Sequence, residues 1–215
     1  MIETLVKKQQ RASEIYTLLE STYPTWGKCF LNYSSSHELL VASILSKNCS
    51  YKIVNNVSKN LFNKYHSAKD FAYCNIDSLR DDIRNINNHN EKADNIKRAC
   101  LDVVEKHNGV VPYSFDDLVL LAGVEHKTGK LLTSEIYNIP AMVIDANMSR
   151  IMRLLGFTRS DNIMNIEKDI MRVFKENIWL KLTYLVIGHG RSVCHKIKPK
   201  CEVCILNRLC PSSSF

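Results

Sequence analysis

The sequence predicts an all-α fold, and three observations support this prediction. Apolar residues recur at helical spacing in several segments, capping sequences precede them, and no segment keeps the strict apolar–polar alternation of a half-buried strand. The chain has 215 residues, of which 45% are hydrophobic. This is enough apolar material for one large domain or two small ones with a hydrophobic core, and it argues against disorder.

The predicted helices begin at recognisable capping residues. Three segments pair a serine with an acidic residue three positions later, the pattern of a capping box: Ser35 with Glu38, Ser67 with Asp70, and Ser114 with Asp117. The first precedes an apolar helix over 39–45. Asn90 is expected to cap a helix that runs to His107 and ends at Asn108-Gly109. Four later helices are predicted over 126–137, 147–155, 166–174 and 179–187.

Charge and hydropathy restrict the possible partners and location. The formal net charge of +7 favours a polyanionic partner, of which nucleic acid is the commonest, although charge alone is weak support. No apolar run approaches about 18 residues, so no membrane-spanning helix is expected. The N-terminal segment lacks the apolar core of a signal peptide. We therefore expect a cytoplasmic protein, in a reducing compartment, without membrane association.

The eight cysteines fall into two groups. Four are scattered and are expected to be small core residues: Cys29, Cys49, Cys74 and Cys100. The other four form the pattern C-x6-C-x2-C-x5-C: Cys194, Cys201, Cys204 and Cys210. In a reducing compartment such a cluster indicates a metal site, either a zinc ion or an iron–sulfur cluster. Only one C-x2-C pair is present and the flanking gaps are long, which favours the bulkier iron–sulfur cluster.

Two further segments carry recognisable local patterns. Gly123 lies in a short segment between two predicted helices, where a tight turn can aim backbone N–H groups and a helix N-terminus at a phosphate. Asp145 follows an apolar run and precedes a predicted helix, so it is expected to be an N-cap. Each pattern is common and is weak support when taken alone.

The cysteine pattern, preceded by His189-Gly190-Arg191, resembles the C-terminal loop of the endonuclease III family of DNA glycosylases. The resemblance extends over 32–210. It implies a two-lobed helix-hairpin-helix DNA glycosylase fold with a [4Fe–4S] cluster on the four clustered cysteines. One lobe would be a helical bundle over 22–133 that ends in the hairpin. The other would comprise 1–21 and 134–215, with the cluster loop at 194–210, and DNA would lie across the cleft between the lobes.

The resemblance also implies a catalytic pair. The segment around Gly123 resembles the family's hairpin L-P-G-V-G-x-K-T-A, with Ala122 for the proline and Glu125 for the second glycine. Lys127 falls on the nucleophilic lysine. Asp145 falls on the catalytic aspartate of the family's V-D-T-H-x-x-R pattern, although the chain has Ala-Asn in place of Thr-His. The carboxylate of Glu125 is expected to weaken phosphate binding at the hairpin.

DNA-contacting residues follow from the same resemblance. Phosphate contacts are expected at the hairpin, through Gly123 and Glu125, and on the cluster loop with its approach: Arg191, Lys196, Lys198 and Lys200. Asn48 lies where the family has a glutamine that fills the gap left by a flipped base, and Asn88 lies at the wedge position. An ordinary helix-end residue and an ordinary interhelical loop are comparably good interpretations of these two asparagines.

The resemblance implies a bifunctional glycosylase/AP lyase that removes oxidised pyrimidines through a lysine Schiff base. Its partner would be double-stranded DNA with damaged bases or abasic sites, and a monomer is expected. Three alternatives stay open. They are an adenine-specific relative, which Lys127 and the short chain disfavour; a DNA-binding iron–sulfur protein without catalysis or with glycosylase activity alone; and a zinc module on the same four cysteines.

Overall fold

The computed structural model describes residues 3–214, and within them it contains helices and no strands, so the predicted all-α class is confirmed. The α-helices are α1 Leu5–Thr22, α2 Ser36–Ser46, α3 Tyr51–Lys64, α4 Ala68–Tyr73, α5 Ile76–Asp82, α6 His89–Lys106, α7 Phe115–Leu120, α8 His126–Tyr137, α9 Ala146–Leu154, α10 Ile163–Met171 and α11 Trp179–Ser192. Short 3-10 turns lie at Glu176–Ile178, Cys201–Val203 and Asn207–Leu209. Over this part of the chain, no helix combines the length and the apolar character needed to cross a membrane.

The chain divides into two compact units. One is the continuous segment Phe30–Ile139, and the other combines Met1–Cys29 with Pro140–Phe215. The sequence-based division at 22 and 133 differs from these bounds by eight and six residues. The first difference has a physical reason, since Tyr23 stacks on Trp26 with ring centroids 4.3 Å apart and its hydroxyl lies 3.0 Å from His189 Nδ1. Both aromatic residues therefore pack with the second unit.

The continuous unit is built around α2, whose residues Leu39–Leu45 are all buried. Helices α3, α6 and α8 pack against it, and α4 packs against α6. Ser35 Oγ accepts the Glu38 N–H, and the Glu38 carboxylate accepts the Ser34 N–H at 2.6 Å. The predicted capping box is therefore present, with its returning contact one residue earlier than the usual pattern.

In the discontinuous unit α1 and α9 pack against α11, α10 packs against α9, and the core includes Ile15, Met152, Phe157 and Leu182. Arg11 connects the two ends of the chain. Its guanidinium donates to the carbonyls of Leu155 and Leu209, at 2.8 and 3.2 Å, and lies 4.5 Å from the centre of the Phe157 ring.

Several helix boundaries match the prediction and others do not. The predicted helix 126–137 has the observed bounds of α8. The prediction that Asn90 caps α6 is wrong, because the N-cap is Asn88 in a left-handed conformation. Ser114 precedes α7 but makes no side-chain capping bond. Helix α10 begins three residues earlier than predicted because Asn162 caps it by accepting the N–H groups of Met164 and Asn165.

Candidate nucleic-acid interface and cysteine cluster

The turn between α7 and α8 forms the predicted hairpin, and Gly123 sets its geometry. Its φ of +79° is in the left-handed region, which glycine adopts without a Cβ penalty. A Cβ at this position would lie 3.0 Å from Asn95 Cβ and 3.2 Å from Ile44 Cγ2. The turn therefore sits directly on α2 and α6. The backbone of the hairpin is held against the core of its unit.

Helix α8 begins immediately after this turn. Glu125 is its N-cap residue, but the side chain makes no capping bond. The Glu125 carboxylate instead forms an ion pair with Lys47, with Oε1 2.6 Å from Nζ. Lys127 is the second residue of α8 and is half-buried, in the first turn as the sequence predicts. No acidic residue lies in that first turn.

Asp145 is the N-cap of α9, as predicted, and its Oδ1 accepts the Met148 N–H at 2.7 Å. The same helix carries Arg150, whose guanidinium donates to the Cys194 carbonyl at 2.6 Å and lies 3.5 Å from the Cys194 sulfur. Asn147 Oδ1 lies 3.3 Å from the same guanidinium. Helix α9 therefore connects the candidate catalytic carboxylate with the cysteine loop. The sequence analysis assigns no role to Arg150, which occupies the arginine position of the V-D-T-H-x-x-R pattern.

Asn48 and Asn88 share one environment in the continuous unit. Both are exposed and adopt left-handed backbone conformations, with φ of 51° and 56°. Both line one small cavity of about 20 Å³ together with Gly123, and the Asn87 side-chain amide donates to the Asn48 carbonyl at 3.1 Å. The structure thus brings together three positions that the sequence singled out separately.

A buried lysine to which the sequence analysis assigns no role stabilises the backbone at the end of α2. Lys92 is 4% exposed, and its ammonium donates to the carbonyls of Leu45 and Lys47 at 2.8 and 2.6 Å. These carbonyls lie at the C-terminal end of α2, where a positive charge interacts favourably with the helix dipole. Burial lowers the pKa of Lys92. The sequence offers no signal for this role, because Lys92 stands among polar residues in the first turn of α6 and its burial depends on how α6 packs against α2.

The four clustered cysteines all line one cavity of about 70 Å³: Cys194, Cys201, Cys204 and Cys210. Within residues 3–214, no three His, Cys, Asp or Glu side chains are grouped closely enough to hold a single metal ion. All four thiols line the same cavity, so they can serve together as the ligands of one inorganic centre.

His189 lies behind this cavity and was not assigned a role from sequence. It is 1% exposed, with Nδ1 3.0 Å from the Tyr23 hydroxyl and Nε2 3.6 Å from the Cys204 sulfur. Burial, with a smaller contribution from the charge of Arg150, lowers the pKa of His189 to about 4. A neutral ring has one donor and one acceptor. Its Nε2–H can therefore donate to a thiolate at Cys204 while Nδ1 accepts from Tyr23.

The basic residues of the cysteine loop lie on its surface. Arg191, Lys196, Lys198 and Lys200 are all exposed. The loop closes on the Val193 carbonyl, which accepts the N–H groups of His195 and Lys200 at 3.0 Å each. Within residues 3–214, none of these three lysines forms an ion pair: Lys196, Lys198 and Lys200. Three ammonium groups are thus presented to solvent by one tethered loop, an arrangement suited to phosphate contacts.

Comparisons with known proteins agree with this arrangement. The family model HhH-GPD, described as a superfamily base excision DNA repair protein, matches residues 41–176. Endonuclease III of Synechocystis sp. is 35% identical over 99% of this chain and 97% of its own length. Endonuclease III of Bacillus subtilis is 34% identical over 86% and 84%.

Solved structures show the same similarity. A trapped Endonuclease III–DNA covalent intermediate, in an estranged-adenine complex, superposes with a TM-score of 0.87 at 32% identity, covering 94% of this chain and 96% of that one. A non-covalent Endonuclease III–DNA complex gives a TM-score of 0.88 at the same identity and coverage. A thermostable thymine-DNA glycosylase shares the fold at 18% identity, with a TM-score of 0.85. The predicted helix-hairpin-helix glycosylase fold is thereby confirmed.

Proposed function

Since the chain belongs to the HhH-GPD superfamily of base excision DNA repair proteins, and within it to the endonuclease III family, it is a DNA-binding DNA glycosylase, and we propose that it is also an AP lyase that acts on oxidised pyrimidines. The observation that carries the proposal is the lysine in the first turn after the hairpin. Lys127 stands there in a chain that matches Endonuclease III along almost its whole length. An amine at this position is the group that a lyase needs.

The proposed reaction starts with the neutral amine of Lys127. Its Nζ attacks the sugar C1′, the bond from C1′ to the base breaks, and the base leaves with the bonding electrons and takes up a proton. The sugar ring opens to give an iminium between Lys127 and C1′. Loss of a C2′ proton then expels the 3′ phosphate with the C3′–O electrons, and water releases the unsaturated sugar from the lysine.

Asp145 has a separate proposed role in the same chemistry. Its carboxylate stabilises the positive charge that develops on the sugar as the base departs, and it assists deprotonation of the attacking group. The half-buried position of Asp145 and its capping bond to the Met148 N–H support this role. Both features fix the orientation of the carboxylate before the substrate arrives.

We also propose which residues bind the DNA. One phosphate-binding site is the hairpin turn around Gly123 and Glu125. The other is the cysteine loop and the end of α11 before it, where the binding residues are Arg191, Lys196, Lys198 and Lys200. Asn48 fills the gap left by the flipped base and Asn88 wedges the duplex open. The shared cavity and the matching left-handed backbones of the two asparagines support this pairing.

Four thiolates hold the proposed [4Fe–4S] cluster: Cys194, Cys201, Cys204 and Cys210. When bound, the cluster supplies the cross-links that fix the loop, and no chemical step on the DNA depends on it. Visible absorption with iron and sulfide analysis of the purified protein tests this proposal. One zinc ion per chain, without iron or colour, would contradict it.

Borohydride trapping on a duplex with an abasic site tests the lyase proposal. We expect a covalent adduct with the wild-type chain, and its loss in Lys127→Ala. Lys130→Ala is the matched control, since it removes one charge from the same helix and should keep the adduct. Base release without an adduct would make the protein a monofunctional glycosylase. A duplex with an oxidised pyrimidine should lose its base faster than one with undamaged bases, and equal rates would refute the proposed substrate class.

A further inference from the structure

The ion pair between Lys47 and Glu125 lies at the hairpin itself. Lys47 follows the last residue of α2, and Glu125 is the last residue before α8. The two side chains are 46% and 61% exposed, with 2.6 Å between Nζ and Oε1. The hydrogen bond that Lys47 donates to Glu125 raises the pKa of Lys47, and the charges of Glu125 and Glu91 contribute in the same direction. The Lys47 ammonium therefore keeps its positive charge at neutral pH.

The backbone on both sides of this pair is fixed. The Lys47 carbonyl accepts from the buried Lys92 ammonium at 2.6 Å. The hairpin packs against Ile44 and Asn95 at Gly123, where an added Cβ would lie only 3.0 Å from Asn95 Cβ and 3.2 Å from Ile44 Cγ2. The backbone positions of Lys47 and Glu125 are therefore set by the packing of the hairpin against the end of α2. This packing places the two side chains within contact distance of each other.

A carboxylate at this position opposes the binding of a phosphate. Glu125 directly precedes the N-terminus of α8, and the first N–H groups and the dipole of a helix favour anions. An uncompensated negative charge there would repel the DNA strand and reduce that attraction. Lys47 places a positive charge in contact with this carboxylate. The pair as a whole contributes little net charge to the turn.

We propose that Lys47 preserves the phosphate-binding capacity of the hairpin by neutralising Glu125. Lys47 is thus a positioning residue for DNA affinity that acts through Glu125 and not through its own contact with the strand. This inference rests on the proposed function, in which the hairpin binds one phosphate of the DNA backbone. It gives a reason why a hairpin with a carboxylate in place of the family's second glycine can still bind DNA.

A double-mutant cycle in the full chain tests this inference. Lys47→Met, Glu125→Gln and the double variant are compared with the wild type for binding to a duplex with a non-cleavable abasic analogue. In the presence of Glu125, we expect Lys47→Met to weaken binding about tenfold at low salt, since a like charge is left facing the phosphate. Glu125→Gln should strengthen binding. In the Glu125→Gln background, Lys47→Met should change the dissociation constant by less than about twofold.

The salt dependence and a control variant sharpen the result. The effect of Lys47→Met should shrink as salt is raised, because the pair is exposed and screened. Lys59→Met removes an exposed lysine from α3, and its effect should be small and equal in both backgrounds. Thermal melting of each variant shows that the differences in affinity arise in folded protein.

Two results would overturn the inference while leaving the proposed function intact. Equal weakening by Lys47→Met in both backgrounds would mean that Lys47 contacts a phosphate directly. No weakening in either background would mean that the pair has no part in binding. If the wild-type chain binds neither the analogue duplex nor forms a trapped adduct on an abasic site, the proposed function itself fails, and the inference fails with it.

Discussion

Replacing Gly123 with alanine should reduce stability more than the same change at Gly109, although the two glycines have almost the same backbone conformation. Their φ angles are +79° and +80°. A Cβ at Gly123 would meet Asn95 at 3.0 Å and Ile44 at 3.2 Å, whereas a Cβ at Gly109 would meet nothing within 4 Å. Both glycines lie in the continuous unit, so both substitutions act on the same core.

The expected magnitudes follow from these contacts. Left-handed backbone costs a residue with a Cβ about 1–2 kcal/mol, and this term applies to both variants. Carbon atoms pack best at about 3.5–4.0 Å, so the new Cβ at Gly123 must displace two side chains that belong to packed helices. Forcing an extra methyl into a filled space typically costs about 1–3 kcal/mol. We therefore expect Gly123→Ala to be less stable than Gly109→Ala by about 1–3 kcal/mol.

Urea unfolding followed by circular dichroism measures this difference. If the slope m of the unfolding free energy against urea is the same in both variants, the shift in midpoint concentration gives the difference in stability. For a chain of this size, each 1 kcal/mol should also lower the melting temperature by about 2–4 °C. DNA affinity should fall in Gly123→Ala and stay unchanged in Gly109→Ala. Equal loss of stability in the two variants would refute the reasoning, because it would show that Asn95 and Ile44 move aside without cost.

Three further predictions concern polar contacts of side chains. Lys92→Met should lower the free energy of unfolding by about 1–3 kcal/mol, measured by urea titration, since it leaves two carbonyls at the end of α2 without their donor; an unchanged midpoint would contradict this. Arg11→Ala should lower stability at neutral pH, and the difference from wild type should shrink as pH falls through the range below 4.5, because the hydrogen bond from Arg11 lowers the pKa of Glu3 from that value. A pH-independent difference in calorimetric melting would argue against a part for the Glu3 pair. In the cluster-loaded protein, His189→Leu should make the reduction potential more negative, measured by voltammetry, because a hydrogen bond to the Cys204 sulfur is lost; an equal potential would show that this contact is not made.

Local signals in the sequence predicted the parts of the fold that depend on neighbouring residues. The box at Ser35 and the N-cap at Asp145 each need only three or four consecutive residues, and both are present. The start of α6 was misplaced because Asn88 adopts a left-handed conformation. That conformation depends on how the loop packs, and an asparagine in sequence can equally be a helix cap or a turn residue.

Contacts between distant residues were beyond the reach of sequence reasoning. Lys47 and Glu125 are far apart in sequence, and their pairing follows from the packing of α8 against α2. The approach of Arg150 to Cys194 likewise depends on how α9 lies against α11. The spacing of the four clustered cysteines, by contrast, restricted the candidate ligand sites to one short loop, and the four thiols do line one cavity.

The order in which the chain passes through the two units bears on how it is synthesised. All of Phe30–Ile139 has been translated before the last seventy-odd residues, so this unit can fold on the ribosome while the other is still incomplete. Helix α1 must wait, since Arg11 donates to the Leu209 carbonyl, 198 positions later. Packing of the N-terminal helix and assembly of the cysteine loop therefore come after synthesis of the continuous unit, and a nascent chain stalled before Cys194 would carry the hairpin without its basic loop.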